Sequence, residues 1–318
     1  MSKKILRIAL IIALIASFGF LLFAKIKNDQ QNSERPQIVA SNFPAYDFAR
    51  SVAGEQADVK LLLKPGTDAH SFVPTPQDII DIQNSDLFIY VGGESDAWIE
   101  KILNNIDKNK THLVKMLDIV VPVEEELIEG MESEKEEEES DEPEYDEHVS
   151  TAPSNAILIT NEILNELNFI DPAHKNYYDQ NASDFNIAIR EIDTEFKELI
   201  QNAKRHEIIV ADRFPFRYFV DEYDLKYYAA FPGCAEQSEA SATTVTFLIN
   251  KVKADHIPAV LTIELSNQNI AKTISEATGA KILTLNSAHN ISKDDFDAGK
   301  TYLDIMRENI EVLKEALN

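Results

Sequence analysis

Residues 171–204 read DPAHKNYYDQNASDFNIAIREIDTEFKELIQNAK, and this stretch organises the rest of the chain. Its apolar residues fall three or four positions apart, at Phe185, Ile189, Ile192, Phe196 and Leu199. This is the spacing of one helix face, and no glycine or proline interrupts it after Pro172. A helix of about 30 residues is roughly 45 Å long. The stretch therefore predicts a stiff spine that joins two lobes.

Short apolar runs alternate with amphipathic stretches on both sides of this spine, which is typical of sheets covered by helices. Before the spine, strands are predicted near 38–41, 59–63, 86–91 and 112–117, and helices near 43–54, 75–84, 96–106 and 153–167. After it, strands are predicted near 207–211, 226–231, 259–264 and 281–286, and helices near 214–222, 242–254, 268–278 and 294–317.

The predicted fold class is α/β, with two lobes that each hold a mostly parallel sheet flanked by helices, joined by one long spine helix. The predicted division is an N-terminal lobe over 36–170, a linking helix over 171–204 and a C-terminal lobe over 205–318. A chain of 318 residues is long enough for two cores. We expect a monomer.

The chain is strongly acidic, with 55 Asp and Glu against 30 Lys and Arg and a net charge of −25. This charge argues against binding to nucleic acid or to an anionic membrane surface, because both repel a negative protein. Metal cations are better suited as ligands. The single cysteine, Cys234, excludes an intrachain disulfide, so the hydrophobic cores must hold the fold together.

The N-terminus carries an export signal. Lys3, Lys4 and Arg7 precede an apolar run from about Ile8 to Ala24, which is the pattern of a secretory signal. The run is close to the shortest that spans a bilayer, and no small-residue cleavage site stands out after it. We therefore favour a retained membrane anchor over 1–25 and a polar tether over 26–35, which places the protein outside the cytoplasm at the cell surface. A cleaved signal would instead give a periplasmic or secreted protein.

An acidic segment over 124–147 interrupts the N-terminal lobe. It holds fifteen Asp or Glu against one lysine, so charge repulsion predicts a mobile, solvated loop. Such a loop is either a spacer or a collector of divalent cations, and His148 stands at its exit.

Several metal-type side chains come just after predicted strands or loops. Since ligands of open α/β sheets bind beyond the carboxyl ends of strands, these side chains predict a site in one crevice. They are His70, His148, Asp212, Glu264 and His289. Three or four ligands of mixed His and carboxylate type suit Zn²⁺, whereas more carboxylates favour Mn²⁺ or ferrous iron. The remaining histidines, His112, His174, His206 and His256, are read as surface or capping residues.

Beyond these patterns, the chain resembles the metal-specific solute-binding proteins of bacterial ABC transporters, in particular the zinc and manganese uptake group. The blocks that carry the resemblance are IVASNFPAYDFARSVAG, VKLLLKPGTDAHSFVPTPQDI, DLFIYVGG, IAKTISEATGAKIL and GKTYLDIMRENIEVLKEAL, together with the long spine. The most specific of them is PGTDAHSFVPTPQD at 65–78.

The resemblance implies a ligand set of His70, His148, Asp212 and His289. His70 stands at the ligand histidine of the PGTDAH block, and His148 at the second histidine, although Ser150 replaces a usual tryptophan. The third ligand of the group precedes an aromatic pair on the first strand of the second lobe. Matching VADRFPFRYF to that motif gives Asp212 or Arg213, and we choose Asp212 because arginine cannot bind a cation.

The fourth ligand of the group is usually an aspartate, where this chain has Asn286. We expect His289 to supply the missing ligand. Glu264, Glu236 and Glu239 are candidates for supporting or alternative positions. The resemblance also favours the cation-collecting reading of the acidic loop.

The predicted function is an extracytoplasmic zinc receptor that captures the ion between its lobes and delivers it to an ABC permease without catalysis. The alternatives are a manganese or ferrous iron receptor of the same class, a secreted zinc metallohydrolase using Glu264 as base, and a surface adhesin that keeps the fold. No H-E-x-x-H motif supports the hydrolase.

Overall fold

The computed structural model describes residues 35–67, 72–131, 144–235 and 239–318. They contain two sheets of four parallel strands each, with helices on both faces. The eight predicted strands are all present, and the predicted fold class is confirmed. One hydrophobic core spans both halves, so the exact division of the chain at 170 and 204 stays a prediction.

The first sheet has the strand order β2-β1-β3-β4. Its strands are β1 (Gln37–Ala40), β2 (Asp58–Leu61), β3 (Leu87–Tyr90) and β4 (His112–Lys115). The interior strand β3 reads LFIY and is buried along its whole length. A continuous apolar run of this kind belongs in a parallel sheet that is covered on both faces.

The second sheet has the order β6-β5-β7-β8. Its strands are β5 (Glu207–Phe214), β6 (Lys226–Pro232), β7 (Ala259–Thr262) and β8 (Lys281–Thr284). The pairing of β5 with β6 shifts between Val210 and Arg213, so that β5 carries one extra residue there. This bulge redirects the side chains at the end of β5.

Helices connect the strands in both halves. In the first half they are α1 (Phe43–Ala53), α2 (Pro76–Asn84), α3 (Ala97–Leu103), α4 (Pro153–Ile170) and the spine α5 (Lys175–Gln201). In the second half they are α6 (Arg217–Tyr223), α7 (Ala242–Ala254), α8 (Asn269–Thr278), α9 (Lys293–Asp297) and α10 (Tyr302–Ala316).

The helix predicted over 294–317 is two helices instead of one. Gly299 has a φ of 76°, a left-handed conformation that ends a helix and that glycine adopts without strain. Thr301 then starts α10 with a capping box, in which its side chain and that of Asp304 satisfy each other's backbone N–H groups.

The spine α5 follows a short 3₁₀ turn at Pro172–His174 and buries one face along most of its length. Phe185 packs on Phe48 of α1 at a ring-centroid distance of 5.7 Å. Phe196 packs on Phe219 of α6 at 5.0 Å. One end of the spine therefore contacts the first half of the chain and the other end contacts the second.

The C-terminal helix α10 returns to the first half. The backbone N–H of Tyr302 donates to the buried carboxylate of Asp47 at 2.8 Å, and the Tyr302 hydroxyl donates to the carbonyl oxygen of Ser150 at 2.9 Å. Tyr302 also makes an edge-on contact with Phe48 at 4.9 Å. These contacts fix the second half against the first.

No helix among the described residues is long and apolar enough to cross a membrane. The predicted anchor over 1–25 and most of the tether lie outside the described residues.

Replacing Phe196 by alanine should lower the free energy of unfolding by about 3–5 kcal/mol, because it leaves a cavity between the spine and α6. The exposed neighbour Glu195 provides the matched control, and Glu195→Ala should change the value by less than about 0.5 kcal/mol. Urea denaturation measures the free energy of unfolding of both variants. Equal effects would show that the Phe196 side chain contributes no more to stability than an exposed residue.

Candidate metal centre

A cavity of about 180 Å³ lies between the two halves of the chain. Its wall includes Gly66, Thr67 and His148 from the first half and Arg213, Gly233, Glu264 and His289 from the second. Arg213, Glu264 and His289 lie at or just beyond the carboxyl ends of β5, β7 and β8. The cavity therefore occupies the position where parallel α/β sheets usually bind ligands.

His148 leaves the acidic segment and precedes a 3₁₀ turn at Val149–Thr151. Its backbone N–H donates to Asp146 Oδ1 at 2.7 Å, and its ring Nδ1 lies 3.2 Å from the same oxygen. A carboxylate at Nδ1 orients an imidazole and directs the Nε2 lone pair outward. The side chain is almost fully buried, so the ring is held in one place.

His289 is held by the loop after β8. Its backbone N–H donates to Ser287 Oγ at 3.2 Å. The backbone N–H of Ser287 in turn donates to Glu264 Oε2 at 2.8 Å, and the serine hydroxyl donates to the other oxygen of Glu264. Burial raises the pKa of Glu264, while the hydrogen bonds from Ser287 act in the opposite direction. Glu264 thus positions the loop that carries His289.

Asn286 serves the same loop. Its side chain accepts from the backbone N–H of Ala288 at 2.8 Å, and its backbone is hydrogen-bonded to the side chain of Asn309.

The rings of His148 and His289 meet across the boundary between the two halves. Their centroids are 4.6 Å apart, with an angle of 55° between the ring planes, and both side chains are buried. The structure thus brings together two of the sequence-predicted ligands, which are 141 positions apart in the chain.

His70, the ligand predicted from the most specific motif, lies outside the described residues. The chain on either side of it is described. Thr67 lines the cavity, and its carbonyl oxygen accepts from the Asn290 side chain. Phe72 borders an adjoining small cavity that His289 also lines. His70 therefore lies in sequence between two residues that border cavities next to His289.

The bulge in β5 separates the two candidates for the third ligand. Asp212 accepts from the Ser266 hydroxyl and from the backbone N–H of Arg213, the latter at 2.9 Å. It is not among the described residues that line the cavity, whereas Arg213 is. The structure therefore places Arg213, and not the neighbouring Asp212, at the cavity wall.

The other candidates lie apart from the two rings. Glu239 is exposed and precedes α7, and Glu236 lies outside the described residues. His112 and His174 pair with Glu166 and Asp171, each at 2.6 Å. Within the described ranges, no group of three or more His, Cys, Asp or Glu side chains is arranged to hold a metal ion.

The ends of the acidic segment are built into the fold, which corrects the prediction of a mobile, solvated loop over all of 124–147. Glu124 and Tyr145 form an antiparallel bridge. Glu125 accepts from the backbone N–H of Cys234 at 2.8 Å, and Glu126 pairs with Arg217 of α6. Partners for these carboxylates in the second half offset the charge repulsion. Residues 132–143 lie outside the described residues.

Two buried acids at the end of this segment, Asp146 and Glu147, were not among the residues predicted from the sequence. Asp146 orients His148, as described above. Glu147 Oε1 accepts from the backbone N–H of Ser95 at 2.8 Å, and burial raises the pKa of Glu147 to about 7. Their position directly before His148 was the available signal, but the surrounding run of carboxylates concealed it.

Two lobes with parallel sheets and a cavity between them define a two-lobed ligand-binding protein. Residues 38–316 match the protein family described as "ZnuA: Zinc-uptake complex component A periplasmic". The chain belongs to this family.

Among curated proteins, the chain is 29% identical over 306 residues to the zinc-binding lipoprotein AdcA of Streptococcus pneumoniae, covering 95% of this chain and 60% of AdcA. It thus spans about three fifths of the length of that relative. It is 27% identical over 308 residues to the high-affinity zinc uptake system protein ZnuA of Bacillus subtilis, covering 94% of each chain.

Among solved structures, the chain superposes on the Zn(II)-bound ZnuA-like domain of Streptococcus pneumoniae AdcA with a TM-score of 0.74 and 28% identity, covering 89% of this chain and 99% of that domain. It superposes on the metal-dependent lipoprotein YcdH of Bacillus subtilis with a TM-score of 0.74 and 25% identity, covering 88% of this chain and 99% of YcdH.

A buried carboxylate in the adjoining small cavity should make the stability of the protein depend on pH. Asp96 lines this cavity beside Glu147 and accepts from the backbone N–H groups of Val91 and Gly92. Burial raises the pKa of Asp96 to about 6. Between its unfolded pKa near 4 and this value, the native state binds more protons than the unfolded state, so the contribution of Asp96 to stability is lost as pH rises.

Asp96→Asn should remove this fall in the free energy of unfolding between pH 4 and pH 6. In the wild type the fall due to Asp96 is about 3 kcal/mol at most. Denaturant unfolding at pH 4, 5, 6 and 7 measures it as the difference between the wild-type and variant curves. The same slope in both proteins would exclude Asp96 as its source.

Proposed function

We propose that this chain is an extracytoplasmic receptor that captures a zinc ion between its two lobes and delivers it to an ABC permease. One observation carries the proposal: the buried rings of His148 and His289 meet in the cavity between the lobes. Family membership and the zinc-binding and zinc-uptake relatives support the same reading. These relatives are named as transport and binding proteins, and the proposed role needs no catalytic step.

The donor set fits zinc. Imidazole nitrogens are ordinary zinc ligands. The Asp146 carboxylate at Nδ1 of His148 supports the proposal, because metal-bound histidines commonly pair their other ring nitrogen with a carboxylate. We propose His70 as a third imidazole, on the basis of its motif and of the described residues on either side of it.

The sequence predicts Asp212 for the remaining position. To reach the cavity, this carboxylate would have to give up its hydrogen bond to Ser266. Glu264 already lines the cavity but is hydrogen-bonded to Ser287. Since both carboxylates have protein partners, imidazoles dominate the donor set, and this favours zinc over manganese.

The N-terminal segment over 1–25 is proposed to hold the receptor at the outer face of the membrane. We also propose that the acidic residues within 132–143 raise the local concentration of divalent cations near the cavity.

Competition titration of the purified protein against a chelator tests the proposal, with zinc and manganese compared. One tightly bound zinc and weak manganese are expected. His70→Ala and His148→Ala should each weaken zinc binding at least about 100-fold, because the loss of a ligand should cost at least as much as the loss of a supporting partner.

The control is His206→Ala, which removes an exposed imidazole and should leave zinc affinity unchanged. Unfolding curves verify that each variant is folded. Tight manganese binding with weak zinc binding would show that manganese, and not zinc, is the metal of this receptor. Unchanged zinc affinity in folded His148→Ala would refute the proposed site.

The two parts of the acidic segment should behave differently on deletion. Removing 132–143 should leave the zinc Kd within about threefold, because the predicted ligands lie outside this stretch. It should slow zinc association at low ionic strength, because the deletion removes negative charge that attracts cations. Removing 124–145 should also destabilise the fold, because it deletes the contacts of Glu125 and Glu126. Stopped-flow association and urea unfolding measure the two effects. A large loss of equilibrium affinity from the shorter deletion would contradict the prediction.

A further inference from the structure

We propose that Asn290 is a positioning residue of the metal centre. Its side chain ties the loop over 286–291, called the His289 loop below, to the first lobe and so fixes the His289 imidazole in the cavity. The inference rests on the proposed function and deepens it, because it names a residue that acts on the zinc affinity of that site through His289.

The inner side of the His289 loop wraps around one buried carboxylate of the second lobe. Glu264 accepts from the backbone N–H and from the hydroxyl of Ser287. It also accepts from the backbone N–H of Asn290. Ser287 and Asn290 stand on either side of His289 in the chain. The same side chain therefore holds the loop both before and after the imidazole.

The outer side of the His289 loop is bonded to the first lobe. The side-chain amide of Asn290 donates to the carbonyl oxygen of Thr67, which is 223 positions away. The backbone N–H of Gly66 donates to the carbonyl oxygen of Ile291 at 2.7 Å. The Asn290 side-chain oxygen accepts from the backbone N–H of Ile291, also at 2.7 Å. This second bond orients the amide toward Thr67.

The backbone of the His289 loop is held in a shape that local preference opposes. Ala288 has a φ of 57°, a left-handed conformation that is unfavourable for a residue with a side chain. Its backbone N–H donates to Asn286 Oδ1 at 2.8 Å, and the residue is fully buried. Because the surrounding contacts must maintain this shape, the loss of one of them lets the loop relax.

The position of the His289 ring depends on both sets of contacts. Its centroid lies 4.6 Å from that of His148, so a small shift of the loop changes the geometry that the two rings offer to an ion. Groups that orient metal ligands affect metal affinity strongly for this reason. Asn290 belongs to both sets, through its backbone and through its side chain. It therefore couples the first lobe to the His289 imidazole.

Zinc titration of the full chain against a chelator tests the role of the amide. Asn290→Ala keeps the backbone bond to Glu264 but removes the donor to Thr67. Its zinc Kd should rise about three- to tenfold, the equivalent of one lost hydrogen bond. Asn290→Gln keeps an amide and should recover part of the affinity. The control Asn250→Ala removes an exposed amide from α7 of the same lobe and should leave the Kd unchanged.

Two readouts separate positioning from a loss of stability alone. Cobalt(II) bound in place of zinc should show a changed absorption spectrum in Asn290→Ala and a spectrum closer to the wild type in Asn290→Gln, because the spectrum reports ligand geometry. In a double-mutant cycle, Asn290→Ala should have little effect on zinc affinity once His289→Ala is present. Equal effects of Asn290→Ala in both backgrounds would overturn the route through His289.

Hydrogen exchange tests the coupling without any change at Asn290. Zinc binding should slow exchange of the Gly66 amide in the wild type, because the coupling between the ion and the lobe-to-lobe contact is reciprocal. The slowing should be smaller in His289→Ala at saturating zinc. No slowing in the wild type, or equal slowing in both proteins, would overturn the inference.

Tight zinc binding in the wild type together with an unchanged Kd in folded Asn290→Ala would overturn the inference and leave the proposed function standing. Absence of zinc binding by the wild-type protein would overturn the proposed function itself. Urea unfolding verifies that each variant is folded. If Asn290→Ala is not folded, the hydrogen exchange of the wild type and His289→Ala decides the question.

Discussion

The structure depends on one hydrophobic core shared by both lobes along the spine α5. Side chains of the first sheet, the second sheet and the C-terminal helix belong to the same buried cluster as the inner face of the spine. The buried contact of Asp47 with the backbone of Tyr302 joins residues 255 positions apart. Separating the lobes would expose this core, at a cost that scales with the apolar area involved. The shared core therefore holds the two sheets against each other, with the cavity at their facing ends.

This frame explains why the two histidines lie so close together. Each is positioned by a neighbouring acid: Asp146 contacts the ring of His148 directly, and Glu264 holds the loop of His289 through Ser287. Acids near the cavity thus act as hydrogen-bond partners of the polypeptide.

The acidic segment combines two physical roles. Its ends form a stem that contacts the second lobe through Glu125 and Glu126 and delivers Asp146, Glu147 and His148 to the interior. Of these buried acids, Asp146 accepts from the backbone N–H of His148, and Glu147 accepts from the backbone N–H of Ser95. The carboxylates between the two ends contribute to the strong negative charge of the chain, which attracts cations through long-range fields that salt screens.

The sequence by itself determined the fold class, because strand and helix patterns depend on the local spacing of apolar residues. It also identified His148 and His289 as candidates from their places after the acidic loop and after β8. Tertiary structure alone decided that Arg213 lines the cavity in place of Asp212, because a one-residue bulge in β5 changes which side chain faces inward. It likewise decided that Asp146 and Glu147 are buried, since no local pattern shows which acids of an acidic run the tertiary fold will bury.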